Sequence, residues 1–589
     1  MPVDLRRFVL ATAAAGVIAM AGTASYAATA PTGALSQAVA AYERATQTSE
    51  EAVDTGARNW TLPDVTPVAD AARLKEYKAV RAKLAAIDRT TLPEQEQLTY
   101  DLLVWTLDGK IELAAYDEAR IPFSSDGGFD TNLLYRADGA RLANEADAKR
   151  WIGLLGQIPA YYDANIANAR RGVKTGFVQP VPTAEGILAR ARRAAETPLA
   201  DDPLLQPLRR LPTSIPAETR AALLKEGEAV VAQRVAPARK TFATFMADEY
   251  LPKASKSLAA SDLPEGKAYY AFLVRQHTTT GMTPDEVHAI GQREVARIRA
   301  EMETVKGEAG FTGTMAEFRT FLRNDDRFYA TSRQQLLEKA SEIAKRVDDR
   351  LPAHFRTLPR LSYGVRPVPA SIEEGYTTGR YFPGDQREGR AGGLMINTSS
   401  LRERPLYELP ALVLHEGAPG HHIQVAMAQE QPAVPAFRRD LYVTAFGEGW
   451  GLYSERLGIE MGIYRDPYER FGRLSYEMWR ACRLVADTGI HAKGWSMEQA
   501  RACFTENTAL SPVNIEVELQ RYVSWPGQAL AYKIGELKLV ELRERAQKAL
   551  GEKFSERDFH DAILLHGSLP LAVLERRIDA WIAQQKVGK

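Results

Sequence analysis

The dominant period along the chain is helical. In MTPDEVHAIGQREVARIRAEMETVKGEAG, the apolar residues Val287, Ile290, Val295 and Ile298 recur along one helix face. Thr283 suits the N-cap, Pro284 the first helical position and Glu286 the closing position of a capping box, and Gly307 marks the end. The same spacing predicts long helices over about 214–245, 331–350, 405–430, 437–458, 468–487, 496–509, 528–549 and 555–585. Ser496 with Gln499 makes a further capping box.

Strand patterns are few. GGLMINTSS, residues 392–400, is a short apolar run bounded by glycine and serine and predicts a strand. Residues 351–393 are rich in Pro, Gly and Tyr and predict loop with a hairpin or two, and a Pro-rich break falls at 176–216. No fixed-period repeat interrupts this pattern. The expectation is a mainly α protein, with a small β element beside a helix that carries the chemistry. Residues 28–589 would form a single large helical domain whose N-terminal and C-terminal halves enclose a cleft.

The remaining features sharpen this picture. Hydrophobic residues make up 45% and charged residues 25% of the 589, ordinary for a globular chain. Acidic and basic residues balance at 75 each, and no basic stripe interleaved with aromatics predicts a nucleic-acid partner. The N-terminus, MPVDLRRFVLATAAAGVIAMAGTASYA, places Arg6 and Arg7 before an apolar, alanine-rich run and ends in small residues. This is the pattern of a secretory signal peptide cleaved after about Ala27, and the paired arginines admit the twin-arginine route. The run is shorter than the roughly 20 apolar residues a spanning helix needs, and no later stretch reaches that length. A periplasmic or secreted location follows, with no stable membrane span after cleavage. Cys482 and Cys503 could pair in such an oxidising compartment.

One stretch carries chemistry. HEGAPGHHIQ, residues 415–424, almost spells H-E-x-x-H, in which two histidines four apart on a helix bind Zn²⁺ and the glutamate takes a proton from the water the metal activates. Here the fourth position after His415 is Pro419, followed by Gly420, His421 and His422. On an unbroken helix, His421 would be rotated by about 240° from His415, and His422 would return to its face about 10.5 Å along. Neither pair would share a metal. Pro419 cannot donate to the carbonyl of His415, and Gly417 and Gly420 free the backbone around it. A bulge absorbing two residues brings in His421, and one absorbing three brings in His422; spacing alone does not choose. Three of the nine histidines within eight positions, after the apolar run LPALVL, favour a buried metal site over polar residues at a helix end. A third ligand is needed. In FGEGWGLYSERLG, Glu448 lies between two glycines on the next predicted helix, and Glu455 is the second candidate or an orienting group.

These segments resemble the DUF885 family of bacterial proteins, counted among the zincin-like metallopeptidase folds. LVLHEGAPGHHIQ resembles its H-E-x-x-P-G-H signature and FGEGWGLYSERLG its downstream glutamate helix. LVADTGIHAKGWSMEQA, RYVSWPGQALAYKIG and FHDAILLHGSLPLAVLE resemble its C-terminal blocks. The likeness runs from about residue 35 to the end and is strongest from 370 onward. It implies a gluzincin-type site with His415, His421 and Glu448 on Zn²⁺ and Glu416 as general base, His422 being the alternative second ligand. By analogy with helical metallopeptidases, Tyr532 or His491 would donate to the oxyanion. A strand before the metal helix would pair with an extended substrate, through Gly393, Leu394 and Asn397, with Gly392 and Gly393 allowing close approach. Tyr376, Arg380 and Tyr381 would line the same cleft. The expected activity is zinc-dependent hydrolysis of short peptides. An ester or other amide as substrate, or a non-catalytic binding protein, are the alternatives; no G-x-S-x-G elbow favours a serine hydrolase.

Overall fold

The computed structural model describes residues 32–47, 49, 60–369, 373, 376–386, 389–431 and 434–587. The expected signal peptide, with its cleavage point after Ala27, lies outside them. The described chain is mainly helical with one small sheet. No described helix is long and apolar enough to cross a membrane.

The capped pattern at Thr283 forms a helix over Pro284–Glu308, with both bonds of its capping box present. It packs along the longest helix, Pro467–Lys493, which is buried over nearly all of its length from Phe471 to His491. At Gly291 the two helices approach so closely that a Cβ there would lie 2.7 Å from Leu484 Cβ. The charges in this contact are paired, as burial requires: Glu477 accepts from Arg473 at 2.7 Å and from Lys533 at 2.8 Å. Cys482 on the central helix and Cys503 on Met497–Asn507 form a disulfide.

Several expected helices are broken. The segment at 214–245 changes to a π-helical turn over Val231–Val235. The one at 555–585 divides into Glu556–Leu564 and Leu571–Val587, parted by the Gly567–Pro570 turn. The proline-rich break at 176–216 instead holds a helix over Val181–Glu196, because Pro182 falls in its first turn, where no amide hydrogen is needed.

The two largest of four hydrophobic clusters among the described residues organise the chain. One spans residues 123–250. The larger joins the first described helix, Gly33–Thr46, to segments as distant as Ile582. The sheet flanks the larger core: β1 (Tyr363–Pro367), β2 (Gly379–Phe382) and β3 (Gly392–Ile396) lie in the order β1-β3-β2. β3 is parallel to β1 and antiparallel to β2. Residues 351–393 therefore contribute two strands, and the apolar run GGLMI reads as a strand because it is the central one, covered on both sides.

The helix Thr444–Glu460 crosses Ala531–Leu550 where Gly449 meets Gly535. A Cβ on Gly535 would sit 1.8 Å from the carbonyl oxygen of Ala445, a contact no side chain tolerates. Gly535→Ala is therefore expected to push these helices apart and cost about 1–3 kcal/mol. Because Glu448 and Tyr532 ride on the two helices, metal affinity should fall as well. Thermal denaturation and zinc titration of the variant check both effects, and a native melting point with native zinc affinity would contradict the account.

Candidate metal centre

The apolar helix Leu409–Glu416 stops at the end of the motif's first two residues. The chain then turns through Gly417–Gly420, with a cis Ala418–Pro419 peptide, and a second helix begins at His421. The expected bulge is thus a complete break. The Gly417 amide donates to Val413 O at 2.8 Å and the Gly420 amide to Leu414 O at 3.0 Å, folding the turn back onto the helix end. A Cβ on Gly420 would lie 1.9 Å from His415 O, so only glycine permits this approach. Trp450 closes the arrangement from the next helix, its Nε1 donating to Pro419 O at 2.9 Å.

The fold-back sets the rings of His415 and His421 at right angles, 4.9 Å between centroids. Glu448 Oε2 lies 3.4 Å from each Nε2. The three donor atoms fall within 4.8 Å of one another, a spacing that one ion can bridge with modest closure at typical metal–ligand distances of about 2.0–2.2 Å.

The helix Thr444–Glu460 grips His415 with one face. Glu448, Gly451 and Glu455 are spaced three and four apart, so they align along it. Glu448 meets Nε2, Glu455 Oε1 meets Nδ1 at 2.8 Å, and the ring lies over Gly451, where a Cβ would come within 2.5 Å of it. Glu455 thereby fixes the imidazole's orientation and frees Nε2 for a metal. Burial opposes a charge on His415, but Glu448 and Glu455 outweigh it and raise its pKa to about 9. Burial likewise opposes a charge on His421, and Glu448 again prevails to raise it. Burial opposes a charge on Glu448, which is largely but not fully enclosed, yet the two histidines hold it well below the usual carboxylate range. The cluster thus binds protons where a metal cation would replace them.

His422 points elsewhere. It packs on Tyr363 at 4.5 Å and bonds the Tyr381 hydroxyl at 3.1 Å, and burial depresses its pKa to about 4. Of the two adjacent histidines, His421 is the one that reaches His415 and Glu448.

Glu416 borders a cavity of about 680 Å³ together with the three donors. Its Oε2 accepts the backbone amide hydrogen of Tyr381 on β2 at 2.8 Å, and no described residue bonds Oε1. Tyr532 lines the same cavity, its ring stacked 6.5 Å from that of His415. His491 does not join them. It is fully buried, with Nδ1 accepting from the Ala260 amide at 3.0 Å and Nε2 donating to Tyr522 O at 2.9 Å. Both nitrogens are spent on backbone, so His491 ties segments together and has none left for a substrate.

The substrate-strand expectation also shifts. Gly393, Leu394 and Asn397 do not line the cavity, and β3 is paired on both sides. Asn397 Nδ2 instead bonds the carbonyls of Glu373 and Tyr376, holding the approach to β2. The strand facing the cavity is β2, through Gly379, Arg380 and Tyr381. The period-two pattern marks strands but does not reveal which one lies at an edge. Tyr442 was not legible from the sequence either: its hydroxyl donates to Glu448 Oε1 at 3.1 Å from the cavity wall, and no motif surrounds it.

Fold and site together define a mainly helical protein with a buried His-His-Glu cluster able to hold a metal ion. The chain belongs to the DUF885 family, described as bacterial protein of unknown function, whose profile matches residues 50–578. Two solved structures share the fold. A "putative lipoprotein" from Colwellia psychrerythraea is 27% identical, with a TM-score of 0.86 over 94% of this chain and 99% of that one. A "putative lipoprotein of unknown function" from Shewanella oneidensis is 18% identical, with a TM-score of 0.67 over 92% of this chain and 96% of that one. No curated protein has a matching sequence.

Proposed function

We propose that this protein is an exported zinc metallopeptidase of the zincin-like type that hydrolyses short peptides. The observation that carries the reading is the convergence of His415, His421 and Glu448 within 4.8 Å, with Glu416 beside them on one cavity. Two imidazoles and a carboxylate are a borderline-soft donor set that suits zinc and leaves a coordination position open. The Glu455 bond to His415 Nδ1 is the outer support such ligands take. A purely structural zinc site closes with four protein ligands and needs no adjacent carboxylate base.

His415, His421 and Glu448 would hold the zinc, which when bound would supply a Lewis acid for the scissile carbonyl and the attacking water. Glu416 accepts the proton of the attacking water on Oε1, the Tyr381 amide holding its other oxygen in place, and passes that proton to the leaving amine. Tyr532 donates its hydroxyl to the developing oxyanion from beside His415. A cavity of about 680 Å³ suits a short peptide better than a folded protein. The signal-like N-terminus, the Cys482–Cys503 disulfide and the lipoprotein description of the Colwellia relative support a location outside the cytoplasm.

Metal removal tests the reading. Purified protein is expected to carry on the order of one zinc per chain, the stoichiometry of a single three-ligand site. Chelation should abolish hydrolysis of a short-peptide panel, and added zinc should restore it. Undiminished hydrolysis by fully metal-free protein would refute the reading.

A further inference from the structure

Part of the metal cavity's wall is cationic. Arg380, Arg483 and Arg521 all line it around Tyr532. The Arg483 guanidinium lies 4.2 Å from the Tyr532 ring centroid and that of Arg521 5.8 Å. Glu518 answers two of them: it accepts from Arg483 Nη2 at 3.0 Å and lies 3.7 Å from Arg521 Nη1. Arg521 also donates to Gln528 at 2.8 Å. The other carboxylates on the cavity each have a nearer partner than these guanidiniums, although the charge of Glu416 is felt at Arg380 and that of Asp126 at Arg521. Glu416 takes the Tyr381 amide, Glu448 faces the two histidines, and Asp440 lies 3.4 Å from Arg439. Asp126 accepts from the Ser124 hydroxyl at 3.1 Å.

Arg380 differs from its neighbours. It projects from β2, one residue before the amide that holds Glu416, and no described residue accepts a hydrogen bond from its guanidinium or forms an ion pair with it. It also borders a second cavity of about 550 Å³, whose wall shares Asp126, Arg380 and Trp525 with the metal cavity. A guanidinium at this junction carries a forked set of donors matched to a carboxylate, and the nearby Arg483 and Arg521 reinforce its field.

We propose that Arg380 binds the C-terminal carboxylate of the substrate, which makes the protein an exopeptidase that reads free peptide C-termini. This rests on the peptidase reading above and adds the substrate class. With the carboxylate on Arg380, the last peptide bonds of a short chain lie toward Glu416, while the residues preceding them extend away through the cavity. A C-terminal amide offers Arg380 no charge to pair with.

Binding measured on the full-length mature Glu416→Gln protein, as purified, tests this without consuming the ligand. The probes are N-acetyl-Ala-Ala, its C-terminal amide, and N-acetyl-Ala-Glu amide, which carries its carboxylate on a side chain. The acid is expected to bind about 10–100-fold more tightly than either amide, the range for a charge-assisted hydrogen-bonded pair. Adding Arg380→Gln should bring the acid to within about threefold of its amide, and Arg380→Lys should restore part of the preference through its retained charge. The proposal is overturned if the acid fails to bind, if acid and amide bind alike, or if the preference survives Arg380→Gln and so belongs to the metal. It is also overturned if the glutamyl amide binds as tightly as the acid, since the site would then read a side chain. Lack of peptide turnover in the native protein would sink the peptidase reading alone; the comparison of acid with amide would still decide the role of Arg380.

Discussion

Glu416→Gln is expected to lower peptide turnover by about 10²–10⁴-fold, the usual contribution of a positioned general base, while zinc content stays at the native level. The substitution is nearly isosteric, and the Gln oxygen still accepts the Tyr381 amide that now holds Glu416 at 2.8 Å. Both flanking helices therefore keep their geometry, and His415, His421 and Glu448 keep theirs. What is lost is the carboxylate that takes the proton of the attacking water. Because this removes an interaction of the transition state, kcat should fall with little change in KM. Turnover of the variant equal to that of the native enzyme, with zinc bound in both, would remove Glu416 from the mechanism. Loss of zinc together with activity would give the residue a place in the metal shell instead.

The two adjacent histidines should part company on metal binding. Structural zinc sites contribute about 10–16 kcal/mol over four ligands, so removing one ligand weakens binding by on the order of 10²–10³-fold. His421→Ala is expected to show that loss, since its Nε2 faces Glu448 at 3.4 Å. His422→Ala should retain zinc, because that ring is occupied between Tyr363 and Tyr381. It will cost stability, as a buried aromatic contact and the Tyr381 hydroxyl bond disappear together. Equilibrium zinc titration of the two variants against a competing chelator separates the outcomes. Zinc retained by His421→Ala and lost from His422→Ala would reverse the assignment.

The fold was legible to different depths in different places. Capping boxes at Thr283 and Ser496 were readable because their hydrogen bonds join residues three apart, and both are present. Helix breaks at Gly567–Pro570 and within 214–245 were missed, since an apolar face runs across them and the interruption is decided by what packs there. The site was half legible. His415, Glu416 and Glu448 stood out by residue type and spacing, and Glu455 was recognisable as a supporting group. Tyr442 and the guanidinium of Arg380 carried no local signature, because each acquires its place through contacts with segments far away in the chain. His491 illustrates the converse: a histidine within a distinctive block, whose two nitrogens are taken by Ala260 and Tyr522.

By itself the sequence determined that the chain is mainly helical and that no regular helix could run through Pro419, since a proline without an amide hydrogen, with glycines on either side, disrupts it; that the helix ends there outright was decided by the tertiary structure. It also determined which residue types could meet a metal. The choice between His421 and His422 belonged to the tertiary structure. Neighbouring positions on a helix point about 100° apart, so one ring turns toward His415 and the other away, and the rotation of the new helix settles which. That rotation is set by the Gly420 amide on Leu414 and the Trp450 bond to Pro419, contacts between segments that local spacing does not connect. The same holds for the strand that faces the cavity. An alternating pattern gives a strand two faces, but only the pairing of β3 with both β1 and β2 decides that β2, and not GGLMI, lies open to the site.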